Sequence, residues 1–199
     1  MSNLVSKRAV LVGPDLPIEI WERPITLPQA GEVLVKVIMG GVCGTDVRFW
    51  RGEVPLPGPL VLGHEGIGTI DALGDGVTTD HAGVPIKTGD RVYWMPLRPC
   101  HHCHYCSVEQ DLTLCENGMA DLFRDANLPP SATYSEYSPL SAGMPFYRIP
   151  DDTPSEAVIA FGCAMPTMLQ AMERLGGINV GQTVVVQGCA DRWVLPQHC

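Results

Sequence analysis

Cys100, Cys103 and Cys106 stand at C-x2-C-x2-C spacing, and Cys115 follows after eight intervening residues. Each two-residue gap lets neighbouring thiolates turn toward one centre, and the longer loop returns the fourth. Four thiolates around one point make a closed tetrahedral site, the usual arrangement of structural zinc. The four-cysteine lobe then runs from Cys100 to Cys115. A disulfide cluster is the competing reading, but two-residue gaps are awkward for disulfides. His101, His102 and His104 interleave the cysteines. Any one of them is able to replace a thiolate, but with four thiols at hand they read as loop residues.

The rest of the composition favours metal over disulfides. Eight cysteines lie in 199 residues, and the N-terminus lacks the apolar core of a secretory signal. Cytoplasm is therefore expected, where thiols stay reduced. A net charge of -9 argues against nucleic acid and acidic membrane surfaces as partners. No apolar run is long enough to span a bilayer.

Taken in order, the N-terminal three quarters alternates short strands with turns. Lys7–Val12 and Ile18–Trp21 read as paired strands around Gly13-Pro14. Residues 31–39 place Val33, Val35 and Val37 on one face and Glu32, Leu34 and Lys36 on the other, then end in Gly40-Gly41. Val61-Leu62, Gly68–Leu73, Arg91–Trp94, Tyr134–Tyr137 and Phe146–Ile149 are further short strands. Pro55–Pro59 and the flank of the cysteine lobe to Pro130 read as loop. The character changes at residues 150–154. Thr153 reads as an N-cap with Pro154 at the first helical position, opening a helix over 155–161. A second helix covers Thr167–Leu175, and Gln182–Gln187 reads as a buried parallel strand. The expectation is a mostly β domain over 1–150, followed over 151–199 by the opening of an α/β domain.

Three potential ligands remain outside the lobe. Cys43 and His64 each follow a strand and lie among glycines, and Cys163 lies between the two helices. Two thiolates and one imidazole would form a zinc site with one position open, as catalysis needs. Taken singly, a cysteine such as Cys163 is more often a buried apolar residue.

At this point the residues resemble a known family, the zinc-dependent alcohol dehydrogenases of the medium-chain dehydrogenase/reductase type. That family carries G-H-E-x2-G-x5-G-x2-V, and this chain has Gly63-His64-Glu65, Gly68, Gly74 and Val77 at those offsets. Cys43-Gly44-Thr45-Asp46 resembles its first ligand motif, and Cys100, Cys103, Cys106 and Cys115 resemble its structural zinc lobe, with a last gap one residue longer than common. The resemblance covers 7–188. It implies a GroES-like catalytic domain followed by the start of a Rossmann-type domain. It implies catalytic zinc on Cys43, His64 and Cys163 and structural zinc on the four-cysteine lobe. Glu65 would be a carboxylate able to visit the metal, Thr45 would pass the substrate proton outward, and Asp46 would support the ligands. Thr167 and Gly188 would lie on the side of the cofactor, NAD or NADP. The implied reaction moves hydride between a small-molecule alcohol and NAD(P)+, giving an aldehyde or ketone. The full-length form would be a homodimer or homotetramer. Trp50, Trp94 and Phe123 are aromatic candidates for the substrate pocket.

Two departures matter. Many relatives carry histidine where this chain has Arg48, which cannot act as a base near neutral pH. Thr45 is then expected to hand its proton to the cofactor ribose and water, and Arg48→His is expected to shift the pH–rate profile. The second departure comes after Gly188, where the family continues as G-x-G-x-x-G. Here the chain reads Gly188-Cys189-Ala190-Asp191-Arg192-Trp193-Val194, and the later glycines are missing. Because Trp193 is TGG and valine codons begin GT, a frame shifted by two bases reads glycine there, and the stretch can read Gly-Pro-Val-Gly. The expectation is a frameshift near Gly188, with an authentic short ending as the competing reading. A 199-residue product is then expected to be poorly soluble, unable to hold dinucleotide and inactive: a zinc-binding fragment of such an enzyme.

Overall fold

The computed structural model describes residues 5–95 and 97–185. Eight strands and three helices are named here in chain order: β1 Val5–Leu11, β2 Glu19–Pro24, β3 Val33–Gly40, α1 Gly44–Trp50, β4 Leu60–Val61, β5 Gly66–Leu73, β6 Arg91–Trp94, β7 Tyr137–Leu140, β8 Phe146–Arg148, α2 Ser155–Ile159 and α3 Ala164–Arg174. Strands dominate up to Arg148, and α2 and α3 come after, so the mostly β part precedes the helices as the hydrophobic patterns imply.

The strands form two antiparallel sheets, β2-β1-β4 and β7-β3-β5-β6-β8. The larger sheet carries the main core. Val33, Val35, Ile70, Val92, Trp94, Leu140, Met144 and Phe146 pack together there. Trp94 is wholly buried, and its indole N–H donates to the Ser131 carbonyl at 3.1 Å. Removing so large a buried ring would cost about 3–5 kcal/mol. Trp94 is therefore a core residue, and its place among the substrate-pocket candidates is corrected.

Strand β3 matters most for the site. Its pairing with β5 shifts register between Leu34 and Val35 and again between Val37 and Met39. The first shift lets Leu34 become fully buried as well as Val33 and Val35, so the strict alternation read from sequence fails there. Such bulges bend a strand and re-aim its C-terminal end. In β3 that end leads through Gly40-Gly41 to Cys43.

Three further expectations are corrected, and one element is unanticipated. The segment after Cys43 is helical, forming α1; its signal is present as Cys43-Gly44-Thr45-Asp46, in which the Asp46 carboxylate accepts from the Cys43 amide at 2.9 Å as the return half of a capping box. The strand expected at Tyr134–Tyr137 begins only at Tyr137, where the ladder with β3 starts; before it Ser135 makes an isolated bridge to Arg8 of β1, and the Ser135 and Ser138 hydroxyls both donate to the Ala132 carbonyl at 3.1 Å. Helix α2 is capped by Pro154, in extended conformation, rather than Thr153, whose hydroxyl turns to Asp152. Residues 182–185 form no strand, since no described segment pairs with them; 186–188, including Gly188, lie outside the described residues.

Candidate metal centre and catalytic site

The four-cysteine lobe is built locally. Cys103 and Cys106 are buried and Cys100 and Cys115 half-buried, and their sulfurs lie within 4.8 Å of one another. Backbone amides point at the sulfurs: Cys100 N donates to Cys115 Sγ at 3.2 Å, and Cys103 N to Cys100 Sγ at 3.4 Å. His101 takes a left-handed φ of 58°, a strained value for a side-chain-bearing residue that turns the loop back on itself. A π-turn over Tyr105–Glu109 and a 3-10 turn over Leu112–Leu114 close the loop, the second capped by Asp111 accepting from Thr113 N at 3.0 Å. The His102 amide draws the Cys100 thiol down to about 5, while burial pushes Cys106 up to about 12. Of the interleaved histidines, His102 Nδ1 lies 2.7 Å from the Cys100 carbonyl and His104 Nε2 lies 3.1 Å from Glu109. They are loop residues, and the four sulfurs are the converging donors.

The second cluster is assembled over distance. Cys43 caps α1, His64 and Glu65 precede β5, and Cys163 caps α3. Ligand atoms of Cys43, His64, Glu65 and Cys163 lie within 4.8 Å of one another. Cys43 Sγ and Cys163 Sγ are 3.6 Å apart. A disulfide needs about 2 Å, whereas two sulfurs on one tetrahedral zinc stand about 3.8 Å apart, given Zn–S near 2.3 Å. All six described cysteines are free thiols. The donor chemistry and spacing of both clusters fit zinc.

Asp46 is the hub behind this cluster. It is 5% exposed. Its Oδ2 accepts from the Cys43 amide at 2.9 Å and its Oδ1 from the Gly63 amide at 3.2 Å. Oδ1 also faces His64 Nδ1 at 3.5 Å, a charge-pair distance. With Nδ1 turned to Asp46, Nε2 is left as the ligand nitrogen, as is usual where a carboxylate backs a metal-binding histidine. Burial alone would push the Asp46 carboxyl up, but His64, the Cys43 amide and Tyr134 outweigh it and hold it below its ordinary value. Burial likewise opposes charge on His64, yet Asp46 and Cys43 raise it to about 9 in the metal-free protein. Burial and the adjacent Glu65 push Cys163 up. Burial opposes ionisation of Cys43 as well, but Thr45, Cys163 and His64 outweigh it and lower that thiol.

Glu65 is buried and its Oε1 accepts from the Cys163 amide at 2.7 Å. It sits in a cradle of two glycines: a Cβ at Gly41 or at Gly162 would collide with its carboxylate. Gly162 also takes a left-handed φ of 47°, which a side chain would resist. Thr45 Oγ1 lies 3.7 Å from Cys43 Sγ, at the rim of the cluster. Thr167 is on α3, its hydroxyl donating to the Cys163 carbonyl at 2.8 Å, so its contact within the described residues is with a ligand-bearing residue. Arg48 Nε pairs with Glu53 at 3.2 Å with both side chains about half exposed. Phe123 packs edge-on against Phe49 at 5.7 Å, and Trp50 donates to the Leu16 carbonyl at 3.0 Å. Two neighbours of the cluster carry no signal in the sequence, Tyr134 and Tyr93. Tyr93 Oη donates to the Gly162 carbonyl at 3.2 Å. Nothing in their spacing relates them to Asp46 or Cys163; only the fold does.

Residues 29–151 match the family profile of the alcohol dehydrogenase GroES-like domain, more than half of the chain. The chain belongs to the zinc-dependent alcohol dehydrogenases of the medium-chain dehydrogenase/reductase type. Among its family relatives, 5-exo-hydroxycamphor dehydrogenase of Pseudomonas putida is 48% identical over 182 residues, covering 91% of this chain and 50% of the relative. An alcohol dehydrogenase structure from Thermotoga maritima superposes with a TM-score of 0.70 at 28% identity, over 79% of this chain and 44% of that one. A structure from Escherichia coli CFT073, described as a short chain alcohol dehydrogenase complexed with NADH, gives a TM-score of 0.61 at 33% identity, over 79% of this chain and 42% of that one. The chain thus spans about half the length of the curated relatives it matches. Among the described residues no helix is long and apolar enough to cross a membrane.

Proposed function

We propose that the full-length protein transfers hydride between an alcohol and NAD(P)+, giving an aldehyde or ketone, with residues 1–150 as the GroES-like catalytic domain and 151–199 opening the nucleotide-binding domain. The observation that carries this reading is the convergence of Cys43, His64 and Cys163, from three separate segments, beside a hydroxyl and a buried carboxylate. One zinc would be held there and a second, structural one by Cys100, Cys103, Cys106 and Cys115. The first zinc supplies a Lewis acid that stabilises negative charge on a substrate oxygen.

The chain's own residues do the rest. Asp46 holds the His64 ring in the orientation that leaves Nε2 free. Thr45 Oγ1, at the rim, takes the proton leaving the substrate hydroxyl and passes it outward. Glu65 braces the Cys163 amide and stands close enough to exchange with a ligand position. Thr167 and Gly188 are proposed on the cofactor side. Arg48 is bonded to Glu53 rather than aimed at the cluster, which supports a relay running from Thr45 directly to the cofactor ribose and water. The protein is proposed to act in the cytoplasm on a small molecule, without nucleic-acid or membrane partners, as a homodimer or homotetramer.

The 48% identity to 5-exo-hydroxycamphor dehydrogenase supports an apolar, bulky alcohol as substrate. The test is formation of reduced nicotinamide by the full-length, zinc-loaded protein supplied with 5-exo-hydroxycamphor and either NAD+ or NADP+. Turnover with one of the two cofactors is expected. No reduced nicotinamide from this or any other alcohol, with both zinc sites filled, would refute the proposal.

A further inference from the structure

Tyr134 occupies a position that packing alone does not explain. Its side chain packs against two core clusters at once, that of Val10, Val61, Ala126 and Ala132 and that of Leu11, Phe49, Leu60 and Leu62. A phenylalanine would fill that space equally well. Its hydroxyl instead reaches out of the core, 3.0 Å from Asp46 Oδ2 and 3.1 Å from the Gly41 carbonyl, where its one proton serves either acceptor. A hydrogen bond to the charged carboxylate is the stronger of the two.

The backbone of Tyr134 is clamped so that this hydroxyl has little freedom. Tyr134 N donates to the Leu62 carbonyl at 3.1 Å, and its own carbonyl accepts from Ala9 N at 2.8 Å. The preceding Thr133 N donates to the Gly63 carbonyl at 3.1 Å. Tyr134 is thus tied to β1, to the segment that delivers His64, and through its hydroxyl to α1 and to the approach to Cys43. Asp46 receives four groups: two amides, one imidazole and this hydroxyl. Three of them come from the Cys43 or His64 segments; Tyr134 alone comes from outside, from the loop before β7.

We propose that Tyr134 is a positioning residue for the metal centre: its hydroxyl fixes the rotation of the Asp46 carboxylate, which in turn sets the His64 ring and the Cys43 turn. The proposal rests on the reading of Cys43, His64 and Cys163 as a zinc site. Without the hydroxyl, Oδ2 keeps the Cys43 amide and Oδ1 the Gly63 amide, but the carboxylate loses the one donor that comes from outside the ligand segments, and its rotation relative to His64 is held less tightly. Partners behind metal-ligating histidines are typically worth about 10–100-fold in metal affinity, and a residue acting one step further back is expected at the lower end.

The test uses the full-length zinc-loaded protein and a chromophoric chelator that reports release from the two sites as separate phases. Wild type, Tyr134→Phe, Asp46→Asn and the double variant are compared. Tyr134→Phe is expected to speed release from the Cys43, His64 and Cys163 site about tenfold while the four-cysteine phase is unchanged. In the Asp46→Asn background the same change is expected to add less than about twofold, because Tyr134 acts through Asp46. With Co2+ in that site, the ligand-field absorption is expected to shift in Tyr134→Phe, and the double variant to match Asp46→Asn. Equal acceleration of both phases would mean general loosening, and full additivity with Asp46→Asn would mean independent action; either overturns the proposal, as does no change. If wild type releases only the four-cysteine zinc, the metal-site reading itself has failed and the proposal falls with it.

Discussion

The two cysteine clusters hold similar donors but are built in opposite ways. The lobe of Cys100, Cys103, Cys106 and Cys115 gathers its sulfurs from one loop, with backbone amides of that same loop turned onto them. The cluster of Cys43, His64 and Cys163 draws on segments as far as 120 residues apart, and its support comes from side chains: Asp46, Glu65 and Tyr134. A loop that supplies all four ligands leaves no position for substrate; three ligands from separate elements leave one. The first arrangement favours closure and stability. The second would make the surroundings of a bound metal depend on the whole fold, as the proposed meeting of substrate and cofactor there requires.

If the two clusters divide their roles in this way, removing one thiolate from each has different consequences. Cys43→Ser is expected to lower kcat/KM of the full-length enzyme by about a thousandfold or more, since Lewis-acid stabilisation is worth several kcal/mol, with the fold seen by circular dichroism retained. Cys103→Ala is expected to cost about 4 kcal/mol or more of stability, as losses of structural metal do, measured by denaturant unfolding. A Cys43→Ser protein that melts like Cys103→Ala would erase the distinction.

Asp46→Asn separates the clusters at a smaller scale. Zinc affinity of the assembled site is expected to fall about 10–100-fold, with the four-cysteine site untouched, as read by competition with a chelator. The same variant has a pH signature in the metal-stripped protein. His64 is raised to about 9 against an ordinary 6.5, so its pairing with Asp46 stabilises the fold fully below about 6.5 and is lost as pH rises through about 9. Asp46 is held below its ordinary value, so its share is lost only as pH falls into the acid range. The stability gap between wild type and Asp46→Asn is therefore expected to be largest at about pH 6 and to shrink by about pH 10. A gap independent of pH would detach His64 from Asp46.

The smallest effect concerns the link between the two clusters. Helix α3 is capped by Cys163 and ends at Arg174, which donates to Asp111 Oδ2 at 2.6 Å, beside the 3-10 turn that leads to Cys115. Both partners are partly exposed, so Arg174→Ala is expected to cost no more than about 1 kcal/mol and to leave zinc release from either site within about twofold. A large change in release would show that the clusters are mechanically joined.

Legibility in the sequence divides along the same line. The lobe can be read from spacing alone because its contacts are local. The Cys43, His64 and Cys163 set can be named from the family resemblance, but nothing in their spacing brings segments so far apart together. Asp46 is legible as part of a motif; its role as a hub is not, because Gly63, His64 and Tyr134 reach it only through the fold. Helix α1 is hidden because its glycine-rich start masks the capping box. Strand β7 starts three residues later than its pattern suggests because the backbone of 134–136 bonds first to Leu62 and to β1, through Ala9 and Lys7, and the chain joins β3 in a ladder only at Tyr137. Trp94 reads as a pocket residue because it is aromatic and lies near the lobe; its alternation on β6 turns it into the core.

Zinc content of the full-length protein by native mass spectrometry, for wild type, Cys43→Ser and Cys103→Ala, bears on the assembled centre with the fewest intervening steps. Two zinc ions per chain are expected, as the two donor clusters imply, with each variant losing its own ion and keeping the other. A wild-type chain holding a single zinc that Cys43→Ser does not remove would contradict this, because the assembled cluster would then not be a metal centre.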